Sequence, residues 1–163
     1  IKSSAASDVY KRQQIILHGV SMGAATVLMA SGEELPENVK AIIADCGYTS
    51  EWDEFKCEAN ALHIPWFPVL NAASVMSRLR DGYDFKQASA LEKVKQSRIP
   101  TLFIHGSDDE LVPYSMLDKL YSAAVCKKEC LTVNGAGHAL SSSVDPELYW
   151  NTVESFIEKY SEK

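Results

Sequence analysis

The chain has 163 residues, of which 46% are hydrophobic and 23% charged, with a formal net charge of −6. This composition describes one folded domain with a real core, and the acidic balance excludes an electrostatically driven nucleic-acid or anionic-lipid partner. No apolar run reaches the roughly 18 residues of a membrane span, and the first residues lack a signal-peptide core, so a soluble, cytoplasmic chain is expected.

Ile1 to Gln13 shows no apolar periodicity. Asp8 to Gln13 (DVYKRQ) also reads as a translation of a transposase end sequence used in preparing sequencing libraries, so residues 1–13 are expected to be non-native or disordered. Gln14 to His18 (QIILH) is a short β-branched apolar run that predicts a buried strand, and Met22 to Ser31 predicts a helix stopped by Gly32.

Between them, Gly19-Val20-Ser21-Met22-Gly23 matches G-x-S-x-G in the strand-to-helix context that this motif requires. A serine in so sharp a turn adopts a strained backbone, and bulk at 19 or 23 is expected to collide with the neighbouring strand or helix. The same turn leaves the Met22 backbone N–H at a helix N-terminus, where it can face a developing oxyanion.

Val39 to Ala44 (VKAIIA) predicts the second strand, ending at Asp45. The connection from Cys46 to Ile99 is too long for a plain loop and must hold further structure, expected to be a helical cap over about 50–98. Trp66, Val69, Leu70, Ala73, Met76 and Leu79 recur at helical spacing, with Trp52 and Phe55 on an earlier helix. Two readings stay open: helices that face the core, or a cap lining an acyl pocket with Trp52, Trp66 and Phe67 as substrate-binding residues.

Thr101 to His105 predicts the third strand, Pro113 to Val125 a helix, Glu129 to Val133 the fourth strand and Asp145 to Tyr160 a closing amphipathic helix. This alternation predicts an α/β fold of about four parallel strands flanked by helices, with functional groups at the carboxyl ends of the strands. Cys46, Cys57, Cys126 and Cys130 lack zinc-site spacing and read as free structural thiols; no metal and no cofactor are expected.

His105-Gly106-Ser107-Asp108-Asp109-Glu110-Leu111-Val112-Pro113 follows the third strand, and Gly135-Ala136-Gly137-His138 follows the fourth. With the Ser21 pentapeptide these resemble the α/β-hydrolase family, whose late strands carry H-G-x-x-D-x-x-V-P and G-x-G-H. The stretches HGVSMGAAT and DCGYTS look like a bacterial lipase-like or peptidase-like subgroup. The resemblance implies Ser21 as nucleophile, Asp109 as acid and His138 as base. A serine hydroxyl needs an imidazole to take its proton, and the imidazole needs a carboxylate to fix its tautomer and stabilise its charge.

Asp108 is the rival acid, and Asp45 a more distant one, read instead as capping the turn before Gly47. His18, His63 and His105 read as structural, and Ser141 to Ser143 as a lead into a helix capped near Asp145.

The implied activity is cleavage of a small-molecule acyl ester through an acyl-enzyme. A serine peptidase or acyltransferase of the same fold is the rival, and a catalytically silent binding module the rival of another class. The family places further strands and a His-Gly loop with a second oxyanion donor before the elbow. The resemblance therefore implies the C-terminal part of a hydrolase lacking its N-terminal strands, with an unpaired sheet edge at Gln14–His18 and little activity of its own.

Overall fold

Four strands form one parallel sheet in the order β1-β2-β3-β4, with β1 Ile15–Val20, β2 Val39–Asp45, β3 Thr101–Gly106 and β4 Lys128–Val133. The computed structural model of the protein describes residues 13–161, so the expectation for residues 1–13 lies, apart from Gln13, outside the described residues. Helices α1 (Met22–Ala30), α2 (Glu51–Ala61), α3 (Trp66–Asp81), α4 (Ala90–Val94), α5 (Ser115–Ala123), α6 (Ser141–Val144) and α7 (Pro146–Tyr160) connect and follow the strands.

Strand alternation divides the core between two faces. Ile42, Ala44 and Phe103 pack with Ala24 and Leu28 of α1, Ala90 and Val94 of α4, and Leu117 and Leu120 of α5. Ala41, Ile43, Leu102 and Ile104 face the other way, onto Tyr149, Val153 and Phe156 of α7. The two inner strands, buried on both faces, are accordingly near-continuous apolar runs. Among the described residues β1 pairs with β2 alone, and Ile15 and Val20 on it are exposed.

The long connection between β2 and β3 holds α2 and α3 as a helical pair, then α4, which lies in the layer of α1 rather than in the cap. The expected cap over about 50–98 therefore gives its last helix to the sheet-covering layer. Ser50 caps α2 by accepting from the Asp53 backbone N–H at 3.1 Å. Asp145 caps α7 in the same way, accepting from the Leu148 N–H at 3.0 Å, with Pro146 in its first turn. Among the described residues no helix is long and apolar enough to cross a membrane. All four cysteines are free thiols.

Candidate active site

Each strand delivers one polar side chain at its carboxyl end: Ser21 after β1, Asp45 closing β2, Asp109 beyond β3 and His138 beyond β4. Ser21 sits at φ 54° and ψ −116°, a left-handed geometry that a non-glycine residue keeps only where its surroundings force it. Its N–H donates to the Asp45 carbonyl at 2.8 Å, and its carbonyl accepts from Ala25 N–H at 3.0 Å, pinning the turn between sheet and helix.

The two glycines of the motif differ. A Cβ on Gly19 would stand 2.2 Å from the Gly23 carbonyl oxygen, so Gly19 is required by close approach. A Cβ on Gly23 would meet nothing within 4 Å among the described residues, which corrects the expectation that bulk at 23 collides. Met22 opens α1, so its N–H belongs to the first turn, which lacks intrahelical acceptors.

The Ser21 hydroxyl lies 2.8 Å from His138 Nε2, and His138 Nδ1 lies 2.9 Å from Asp109 Oδ2. With Nδ1–H donating to the carboxylate, Nε2 is left to accept from the serine O–H, a tautomer set by the partners. The loop that carries His138 presses on β3: a Cβ on Gly106 would stand 2.2 Å from the Ala136 carbonyl oxygen, and Asp108 N–H donates to that same oxygen at 3.0 Å.

Asp109 is held from several sides. Its Oδ1 accepts from the backbone N–H groups of Leu111 and Val112 at 3.0 and 2.9 Å. Its Oδ2 faces both His138 and, at 3.3 Å, His105 Nε2, which donates to the Val112 carbonyl at 2.9 Å. Burial pushes the Asp109 carboxyl up, but the donors at His105, His138 and Val112 outweigh it and hold the group below the usual carboxylate range.

His105, read from the sequence as structural, is thus fully buried against the carboxylate, with Nδ1 unpartnered among the described residues. The rival carboxylates turn elsewhere. Asp108 accepts from the Ser107 hydroxyl at 2.6 Å. Asp45 accepts from the Ser141 hydroxyl at 3.1 Å instead of capping the turn before Gly47, and burial pushes its carboxyl up.

Cys46 Sγ, a ring nitrogen of His138 and a carboxylate oxygen of Asp109 lie within 4.8 Å of one another, close enough in principle for a metal. Burial pushes the Cys46 thiol up to about 12, which disfavours the thiolate that a metal requires.

A cavity of about 160 Å³ opens in front of Ser21, lined by Met22, Tyr48, Glu51, Glu54, Phe55, Glu58 and Leu111. None of the three expected substrate-binding residues lines it. Trp66 lines a neighbouring apolar groove between α2 and α3, which shares Phe55 and Glu58 with the Ser21 cavity. Trp52 lines a separate hollow beside Lys86, and Phe67 is 65% exposed. Phe67 departs from helical backbone geometry within α3, at φ −99° and ψ 131°. The glutamates were passed over because charged positions on a helix normally face water. A larger cavity of about 500 Å³ lies at the amino ends of the strands, beside Glu33 and Arg98, far from this chemistry.

The sequence model of the Prolyl oligopeptidase family matches residues 2–163. Uncharacterized protein YqkD of Bacillus subtilis (strain 168) is 30% identical over 152 residues, 93% of this chain and 50% of that protein. Alpha/beta hydrolase domain-containing protein 17C of Xenopus tropicalis is 30% identical over 122 residues, 73% of this chain and 37% of the relative. The Pyrococcus furiosus esterase Pf2001 superposes with a TM-score of 0.68 at 18% identity, covering 91% of this chain and 55% of that one. Pyrococcus horikoshii acylaminoacyl peptidase superposes with a TM-score of 0.63 at 18% identity, covering 93% and 25%. These likenesses establish the α/β-hydrolase fold. The chain spans about half the length of the first of these relatives and less of the second.

Proposed function

The chain belongs to the prolyl oligopeptidase family, and from that premise we propose that the protein is a serine hydrolase that cleaves carboxylic esters, with Ser21 as nucleophile, His138 as general base and Asp109 as its orienting acid. One observation carries the reading: hydroxyl, imidazole and carboxylate form a continuous hydrogen-bonded line, with contacts of 2.8 and 2.9 Å.

In the first half-reaction Ser21 Oγ bonds to the acyl carbon while its proton passes to His138 Nε2. The tetrahedral intermediate then collapses, the ester C–O bond breaks, and the alcohol leaves with that proton. Water, deprotonated by His138, attacks the acyl-enzyme, the acyl–Oγ bond breaks, and the proton on His138 Nε2 returns to Ser21 Oγ as the acid leaves. The Met22 N–H serves as one oxyanion donor, and the ionised Asp109 stabilises the imidazolium that forms between the two transfers. No cofactor takes part in this scheme.

The family match supports a second reading in which the scissile bond is an amide. An acyltransferase would differ only in the acceptor that replaces water, and a silent binding module would leave Ser21 unreactive. Labelling with an alkyl fluorophosphonate tests the common step. The chain is expected to take the label on Ser21, at the slow rate that its expected low activity implies, and Ser21→Ala to take none. Unlabelled Ser21 in a folded sample would defeat the proposal. Turnover of paired p-nitrophenyl esters and peptide p-nitroanilides then separates the two bond types.

A further inference from the structure

The cavity in front of Ser21 is walled on one side by Glu51, Glu54 and Glu58. Their spacing, i, i+3 and i+7, sets all three on one face of α2. Acidic residues in the first turn of a helix suit its macrodipole, and that alone accounts for Asp53, whose carboxylate accepts from the Thr49 hydroxyl at 2.6 Å. It does not account for the inward face. Glu54 is 7% exposed, yet its Oε2 is buried without a partner, as is Oε2 of Glu51.

A buried carboxylate oxygen without a donor is costly, and folded proteins normally supply one. Among the described residues no lysine or arginine lines the cavity, and no ion pair engages these glutamates. The missing charge belongs on the side of the ligand, because Glu51 and Glu54 line the same small space as Ser21 and no cation of the described residues answers them there. Glu54 also carries the electrostatic mark of the arrangement: burial, reinforced by Glu58 and Asp109, pushes its carboxyl up to about 7.

Resting on the proposed role of Ser21, we infer that the preferred substrate carries a cationic amine, bound by Glu54 and Glu51 while its acyl carbon meets Ser21. The cavity volume equals the share of about five water molecules, which accommodates a short ammonium-bearing group. An ammonium supplies three donors and a compact charge, which would offset the uncompensated negative charge of the glutamates that line the cavity.

The test uses two fluorophosphonates of equal chain length, one ending in a methyl group and the other in an ammonium, on the full chain. In each, Ser21 Oγ bonds to phosphorus, the P–F bond breaks, and the serine proton leaves through His138 with the fluoride. The ammonium probe is expected to label Ser21 about tenfold faster or more, a ratio that falls toward one in Glu54→Gln and narrows as salt is raised. Mass spectrometry locates the label.

Labelling of Ser21 by both probes at equal rates, or faster labelling by the methyl probe, would overturn the cation site and leave the serine hydrolase standing. A ratio unchanged in both Glu54→Gln and Glu51→Gln would overturn it equally. Failure of both probes to label Ser21 would instead overturn the hydrolase reading itself.

Discussion

Replacing Glu54 by glutamine is expected to stabilise the protein by an amount that grows as pH rises from 4.5 and is complete above about 7. Raising a carboxyl from 4.5 to about 7 penalises its charged form by about 3 kcal/mol. The sign follows from proton counting. Between those two values the folded state binds more protons than the unfolded one, so stability falls as pH climbs through the window, and the full cost is present above about 7. Glutamine keeps the shape and never ionises. Some of the repulsion from Glu58 and Asp109 persists in a compact denatured chain, which lowers the expected gain at pH 8 to about 1–3 kcal/mol. At pH 4 the two side chains are both neutral and equally short of partners, so the difference should vanish. Urea titrations at both pH values read this directly, as a midpoint that rises at pH 8 with an unchanged slope. A gain of the same size at pH 4, or none at pH 8, would refute the placement of this carboxyl in a partnerless cavity.

Asp109→Asn is expected to lower ester turnover by about 10⁴-fold, because an amide cannot hold the Nδ1–H tautomer of His138 or stabilise its charged form; turnover within tenfold of the parent would remove Asp109 from the proposed relay. Since Asp109 is held below its ordinary value, its contribution to stability is present at neutral pH and is lost as pH falls through the folded value. The same variant should therefore show a flatter acid limb in urea titrations. Gly19→Ala and Gly23→Ala should part company in thermal melts. The first forces a methyl into the Gly23 carbonyl and should cost several kcal/mol, at least about 2, whereas the second meets open space and should gain about 0.5–1 kcal/mol from helix propensity.

The four strands, their parallel order and the close approach at Gly19 were legible because each depends on local pattern: continuous apolar runs, alternation with helices, a motif inside a turn. The convergence of residues 21, 109 and 138 was legible only through resemblance, since Asp109 lies 88 positions after Ser21 and no local rule brings them together. The five residues of α4 are too few to display a helical period, and so the boundary between cap and sheet-covering layer was missed. Trp52 and Phe67 were misplaced because a large aromatic looks like a pocket wall wherever it stands, whereas its direction depends on a helix position fixed by long-range packing. The acidic face of α2 was visible as spacing. That it points inward depends on how α2 stands across the cavity from Ser21 and Met22, which a one-dimensional pattern does not contain.

Three buried carboxylates gather at the carboxyl ends of these strands, and their environments push them apart. Asp109 has two backbone N–H groups, His105 and His138 around it and stays ionised. Asp45 has the Ser141 and Tyr149 hydroxyls, which fall short of the burial cost, and its carboxyl rises. Glu54 Oε2 has no partner, and burial beside Glu58 and Asp109 pushes the carboxyl up to about 7. Only a carboxylate that remains charged in the dry site can stabilise an imidazolium, which favours Asp109 over Asp45 as the acid on physical grounds independent of any motif. The same comparison supports the cation site. A group held at about 7 by burial and by the charges of Glu58 and Asp109 responds to a ligand that brings a positive charge, because an ammonium in the cavity would favour its charged form and recover part of that penalty.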